Sequence, residues 1–255
     1  VGIFALGGFN KNTIVNSLGS AEAISINTEK FFSNKNLEKG KFISGVFKTK
    51  TKANYYIVGS ILTSGIVIDW FKKNFNIKSF SELSKITKKV RDKNILFFPQ
   101  FEFSHSPINS LKTKGAIFGI NRSTSIMDIY ASILRCLSFD TKNALVFMIK
   151  NSKIKITKII SSGGSVKNKY WMKMRANIFD KNIYIDRNIE NVSLGSAILA
   201  GIASNIYRDD NDAFKKIKNN FLIIKKDEKE INDNILLFNK YKKNIKKIVS
   251  INNIL

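Results

Sequence analysis

Cysteine and histidine each occur once in 255 residues, as Cys136 and His105, and that scarcity closes off several chemistries at once. A lone cysteine cannot form an internal disulfide and suits a reducing compartment, so a cytoplasmic location is expected. One histidine and one cysteine cannot assemble a metal cluster or a Cys–His nucleophile pair, so no metal ligand is assigned. His105 reads as a loop residue and Cys136, inside an apolar helical pattern, as core. Proline is limited to two residues and no stretch has linker composition, which leaves one domain over residues 1–255. The longest uncharged run, Ala53 to Ile68, falls short of the roughly 18 apolar residues of a membrane span. Val1 to Gly8 lack a basic lead and a small-residue cleavage site, so no signal peptide is read there. The carboxylates Asp69, Glu102 and Asp128 are dispersed, and no catalytic pair follows from their spacing.

Acidic residues are also few, 19 against 43 lysines and arginines, for a net charge of +24. Such a charge could hold nucleic acid or an anionic membrane through phosphate contacts. The basic residues are overwhelmingly lysine, however, and are spread along the chain with abundant Asn and Ile, a bias expected of AT-rich codons. No arginine-rich or aromatic-interleaved nucleic-acid motif accompanies them. Neither nucleic acid nor membrane is therefore expected as a partner.

What is present is a 44% hydrophobic chain, enough to close a core. Val1 to Leu6, Thr13 to Ser17 and Ala21 to Ile26 read as strands broken by Gly7-Gly8 and Gly19-Ser20. Phe42 to Thr49 and Asn54 to Ser60 read as further strands. Ser64 opens a helix through Val67, Trp70 and Phe71, and Ser79 with Glu82 makes a capping box for another carrying Phe80, Leu83 and Ile86. Ile95 to Phe98 is a buried strand, followed by a loop from Gln100 to Lys114. Ser125 with Asp128 caps the clearest helix, with Ile129, Tyr130, Ile133 and Leu134 on one face. Beyond it come a strand at Ile154 to Ile160, a glycine turn, a helix at Lys169 to Phe179 with Tyr170, Trp171, Met174 and Ile178 inward, and a strand at Asn182 to Ile185. In the helix Ser193 to Tyr207, Ala197, Ala200, Gly201 and Ser204 form a small-residue face for close backbone approach. Ala213 to Val249 read as a lysine-rich amphipathic region.

Three glycine turns sit where backbone N–H groups are free and a helix dipole favours anions. Asn16 to Ser20 occupies a hairpin tip, where Gly19 permits close approach and Ser20 can donate to a phosphate; an ordinary hairpin explains the same letters. Thr63-Ser64-Gly65 lies at a helix mouth whose amides a phosphate could face, though capping by Ser64 also accounts for it. Ser161 to Ser165 joins a strand to a helix, a geometry nucleotide-binding folds reuse, yet it is neither GxGxxG nor a P-loop and could be a plain loop.

The order of these pieces resembles the C-terminal domain of FGGY carbohydrate kinases over nearly the whole chain. Lys114 to Ile120, followed by Asp128 to Arg135, is similar to the family's G-A-x-x-G-L turn and its D-L-x-R-A-x-L-E-G helix, with Ser132 and Arg135 as departures. Asn16 to Ala21 resembles the S-L-G-T-S phosphate turn and Ser64 to Phe71 the G-x-x-x-x-W-L helix. Ser162 to Asn168 resembles the G-G-G-x-x-S/N adenosine segment and Leu194 to Gly201 the L-G-A-A-x-L-A-G helix. The loop Phe101 to Asn109 departs from the G-E-R-x-P form of many members.

That resemblance implies an α/β, ribonuclease H-like domain of the actin/hexokinase/Hsp70-type ATPase fold, a mixed sheet flanked by helices. It implies ATP and Mg2+ as cofactors and a sugar as phosphoryl acceptor. Gly19 and Ser20 would contact the distal phosphates, Gly65 would line the phosphate path, and Gly163, Gly164 and Asn168 would border the adenosine. The family's general-base aspartate falls just before Val1, so no catalytic residue is assigned. An N-terminal sugar-binding domain is the expected partner, and the isolated chain is expected to be inactive. A degenerate relative serving as an interaction or regulatory module is the alternative, and oligomeric state stays open.

Overall fold

In the computed structural model, residues 1–6, 12–49, 53–79, 82–83, 94–101, 106–110, 113–186, 190–217 and 220–252 are described. The hairpin read from the glycine break at Gly19 is formed: β1 (Thr13–Leu18) pairs antiparallel with β2 (Glu22–Thr28), from Ile14↔Ile26 to Leu18↔Glu22. β3 (Ile43–Lys48) and β4 (Ala53–Ile61) extend this half antiparallel. A short hairpin, β5 (Leu96–Phe98) with β6 (Ala116–Phe118), stands apart as a second sheet. β7 (Lys158–Ser162) lies parallel to β1, β8 (Ile183–Asp186) parallel to β7, and β9 (Phe221–Ile224) antiparallel to β8. The main sheet thus has seven strands in the order β3-β4-β2-β1-β7-β8-β9.

Strand alternation divides the apolar residues between two faces. Ile14, Ile24, Ile57 and Ile159 pack on Ala144, Leu145 and Met148 of the long helix α4 (Ile126–Ser152), which follows α1 (Gly2–Ala5), α2 (Lys35–Lys39) and α3 (Gly65–Asn74). Their neighbours Val15 and Ile160 point the other way, onto Leu6. On the first face α3, α4, α5 (Lys169–Phe179) and the C-terminal helix α8 (Ile231–Asn252) share a large core that includes Phe71, Leu134, Trp171 and Tyr241. On the second, α1 packs with α6 (Asn191–Ala203) and α7 (Asp210–Lys216) through Phe4, Ile198, Ile202 and Ala213. The mixed sheet flanked by helices is the architecture expected from sequence.

Two local readings are corrected. Val1 to Leu6 form one helical turn instead of a strand, and Val1 sets its carbonyl against Gly195, where a Cβ would stand 2.5 Å from it. That close approach uses Gly195, while Ala197, Ala200 and Ser204 of the expected small-residue face are exposed. The amphipathic region from Ala213 divides into elements: Phe221–Ile224 is the edge strand β9, between α7 and α8. At the second capping box, Ser79 Oγ accepts from Glu82 N at 3.2 Å and Glu82 Oε2 accepts from Lys78 N at 3.0 Å. Phe80, Ile86, the Gly7-Gly8 break and His105 lie outside the described residues.

Candidate functional site

The chain leaves β1 at Leu18, turns through Gly19, Ser20 and Ala21, and meets α3 head-on. Gly19 N donates to Ala21 O at 2.9 Å, which closes the turn. Its outward carbonyls are taken by α3: Ser64 N and Ile66 N donate to Ser20 O at 3.1 and 3.2 Å, and Gly65 N donates to Gly19 O at 3.2 Å. Val67 N donates to Ser64 O at 3.0 Å, so the first amides of α3 all have acceptors. The expectation that a phosphate faces these amides is therefore corrected; the turn itself caps the helix. Nor does Ser64 cap with its side chain, whose Oγ sits 3.5 Å from Glu22 Oε2. Glycine is required at 65 for this contact, since a Cβ there would lie 2.5 Å from Gly19 O.

The third bend closes against the first. Gly163, after β7, has φ 97° and ψ 176°, a region open essentially to glycine, and a Cβ on it would lie 2.4 Å from Leu18 O. Gly164 then starts a single 3₁₀ turn, Gly164–Lys167, and a Cβ there would meet nothing within 4 Å. Asn168 begins α5 as its N-cap: its Oδ1 accepts from Trp171 N at 3.0 Å while its Nδ2 donates to Tyr130 OH at 3.1 Å. Burial pushes the Tyr130 phenol well above its ordinary pKa, so it stays protonated.

These bends enclose a cavity of about 600 Å³, within the range of small-molecule sites. Gly19, Ser20, Gly65, Gly164 and Asn168 line it, whereas Gly163 lies behind the wall, backing Leu18. The amides of Ser20, Gly164 and Ser165 have no acceptor among the described residues and remain as donors, together with the Ser20 hydroxyl. Apolar surface from Leu18, Ile68 and Trp171 completes the walls. Such an arrangement can receive an anion on its amides beside apolar surface.

Sequence reasoning missed Ile68 and Asp69, although both stand three and four positions after Gly65 and so share its helix face. Tyr130 and Trp171 were read only as core, and Lys167 was not singled out. Among the described residues no group of three or more His, Cys, Asp or Glu side chains is placed to hold a metal ion. No helix among them is long and apolar enough to cross a membrane.

Comparison with known proteins follows the same outline. The family model described as "FGGY family of carbohydrate kinases, C-terminal domain" matches residues 16–204. A glycerol kinase of Ligilactobacillus salivarius is 27% identical over 225 residues, which cover 87% of this chain and 43% of that protein. The chain thus spans less than half the length of that curated relative. Among solved structures, a ligand-bound xylulose kinase from Lactobacillus acidophilus superposes with a TM-score of 0.82 at 18% identity, over 95% of this chain and 48% of its own. Plasmodium falciparum glycerol kinase with ADP gives 0.81 at 23% identity, over 95% and 49%. The fold is therefore that of the FGGY sugar kinases, within the actin/hexokinase ATPase class.

Proposed function

The chain belongs to the FGGY family of carbohydrate kinases, and from that premise we propose that its cavity is the seat of ATP in a kinase that phosphorylates a sugar or polyol hydroxyl. The observation that carries this reading is the meeting of three glycine bends, distant in sequence, on one cavity whose unspent amides lie on the same walls as Trp171. The residues fit the nucleotide. Ser20, through its amide and hydroxyl, and the amides of Gly164 and Ser165 would hold phosphate oxygens, and Lys167 would add a cation. Gly19 and Gly65 let the turn and α3 approach closely enough to form the phosphate path. Asn168 keeps one amide hydrogen beyond those it uses and would border the nucleoside with Gly164 and Trp171. Gly163 would act from behind, fixing the strap.

Bound MgATP supplies the γ-phosphoryl group for a sugar hydroxyl. This chain's own residues would bind and orient the nucleotide, with Mg2+ arriving on the phosphates. Removal of the hydroxyl proton needs a base, and no such base is assigned here. A second domain, of the kind that would account for the remaining length of the relatives, is proposed to bring it together with the sugar site. Titration with MgATP, followed by Trp171 fluorescence, should give weak, saturable binding that ADP displaces. Absence of saturable binding both for the chain alone and in the presence of a complementary N-terminal half removes this reading.

A further inference from the structure

Behind the cavity, one ion pair is completely buried. Glu22, the first residue of β2, is 1% exposed and Arg175 of α5 is 0% exposed. The Glu22 carboxylate accepts from Asn16 Nδ2 at 2.7 Å, from Thr141 Oγ1 at 2.8 Å, and from Arg175 Nη1 at 3.2 Å and Nη2. Ser64 Oγ lies 3.5 Å from its other edge. Side chains of β1, α4, α5 and the residue that starts α3 therefore converge on one carboxylate. Arg175 Nη2 also donates to Asn16 Oδ1 at 3.0 Å, and the guanidinium lies 5.3 Å from the ring centre of Trp171 and 4.9 Å from that of Phe179.

One of these partners, Trp171, lines the cavity, and Glu22 opens β2 two residues beyond Ser20, directly after the turn whose carbonyls cap α3. A buried ion pair is a weak source of stability compared with apolar residues of the same volume, so geometry is the better account of its placement. We propose that Arg175 is a positioning residue of the cavity: through Glu22 it locks the Gly19–Ala21 turn onto the N-terminus of α3, and through its stack on Trp171 it ties that turn to the opposite wall. The orientation of the Ser20 amide then depends on a guanidinium that never touches the ligand. Only the consequence for nucleotide affinity rests on the cavity being the ATP seat; the locking itself does not.

The test compares wild type with the double variant Glu22→Gln/Arg175→Met, in which the glutamine still accepts from Asn16 and Thr141 and no buried charge is left unpaired. Hydrogen exchange is read at Ser64, Gly65 and Ile66, with β7 and β8 as internal reference. Locking predicts exchange at least about tenfold faster at 64–66 than any change in the reference strands, and a MgATP dissociation constant raised by a similar factor. Exchange that changes equally in both regions, or in neither, overturns the proposal. If the double variant does not fold, Arg175→Lys, which keeps the charge but loses the fork and the planar stack, carries the same comparison with the same overturning result. Selective loss of protection with no nucleotide binding by either protein sustains the locking and defeats the ATP reading. Unchanged protection with intact binding does the reverse.

Discussion

Gly163 and Gly164 are neighbours with opposite reasons for being glycine, and single substitutions separate them. A methyl at 163 needs a backbone that L residues rarely adopt and would collide with the Leu18 carbonyl, so Gly163→Ala should cost roughly 1–3 kcal/mol or more in urea unfolding. At 164 a methyl meets nothing, so Gly164→Ala should leave the unfolding midpoint nearly unchanged while weakening MgATP binding, because the methyl enters the space a phosphate would use. Equal destabilisation by both would remove the distinction between the strap's hinge and its contact surface. Cys136 offers a residue-scale test by pH. Burial pushes its thiol from an ordinary value near 9 up to about 12, so the folded state holds the proton more tightly than the unfolded chain. Its contribution to stability is fully present below about 9 and is lost as pH rises toward 12. A thiol reagent at pH 8 should therefore leave native protein unlabelled and modify it only on unfolding. Glycine positions could be read in the sequence because backbone approach restricts residue type. Which amides remain free could not, since the acceptors for 64–66 sit some 45 residues away at 19–20.

Elements whose signals are local were legible, and those decided by a distant partner were not. The Ser125 cap of α4 is complete: Asp128 N donates to Ser125 Oγ at 3.3 Å and Ser125 N donates to Asp128 Oδ2 at 2.9 Å. Ser125→Ala should cost about 1 kcal/mol, measured as a shift in the chemical unfolding midpoint, and an unchanged midpoint would mean that tertiary packing alone fixes the start of α4. β9 shows the other case. Phe221–Ile224 is a four-residue apolar run between Asn220 and Lys225, too short for its periodicity to distinguish strand from helix. Its identity comes from pairing with the free edge of β8, from Ile183↔Ile224 to Asp186↔Phe221. Arg175 was hidden in the same way. The sequence of α5 places Trp171 and Ile178 inward, but a fully buried arginine among them has meaning only once Glu22 is brought across from β2.

At the scale of the molecule, the cavity proposed to seat a nucleotide has few groups among its described lining residues that could accept the proton of a sugar hydroxyl. Tyr130 is held protonated by burial, and Lys167 brings a positive charge. Asp69, the one carboxylate among the described lining residues, stands four residues along α3 from Gly65, about 6 Å down the helix axis and away from the glycine turn. General-base catalysis contributes typically about 10²–10⁴ in rate, and alignment of the acceptor adds to it. The isolated chain should therefore show no ATP-dependent phosphorylation of glycerol or xylulose, while mixing it with the N-terminal half of a related kinase should produce turnover. That turnover should follow the sugar preference of the added half, because the sugar site is proposed to come with the second domain. Replacing the aspartate that the added half is proposed to supply as general base should abolish it without changing MgATP binding by this chain. Turnover by this chain alone, unaffected by Ser20→Ala or Gly164→Ala, would place the chemistry elsewhere in the molecule and deny the cavity its proposed role.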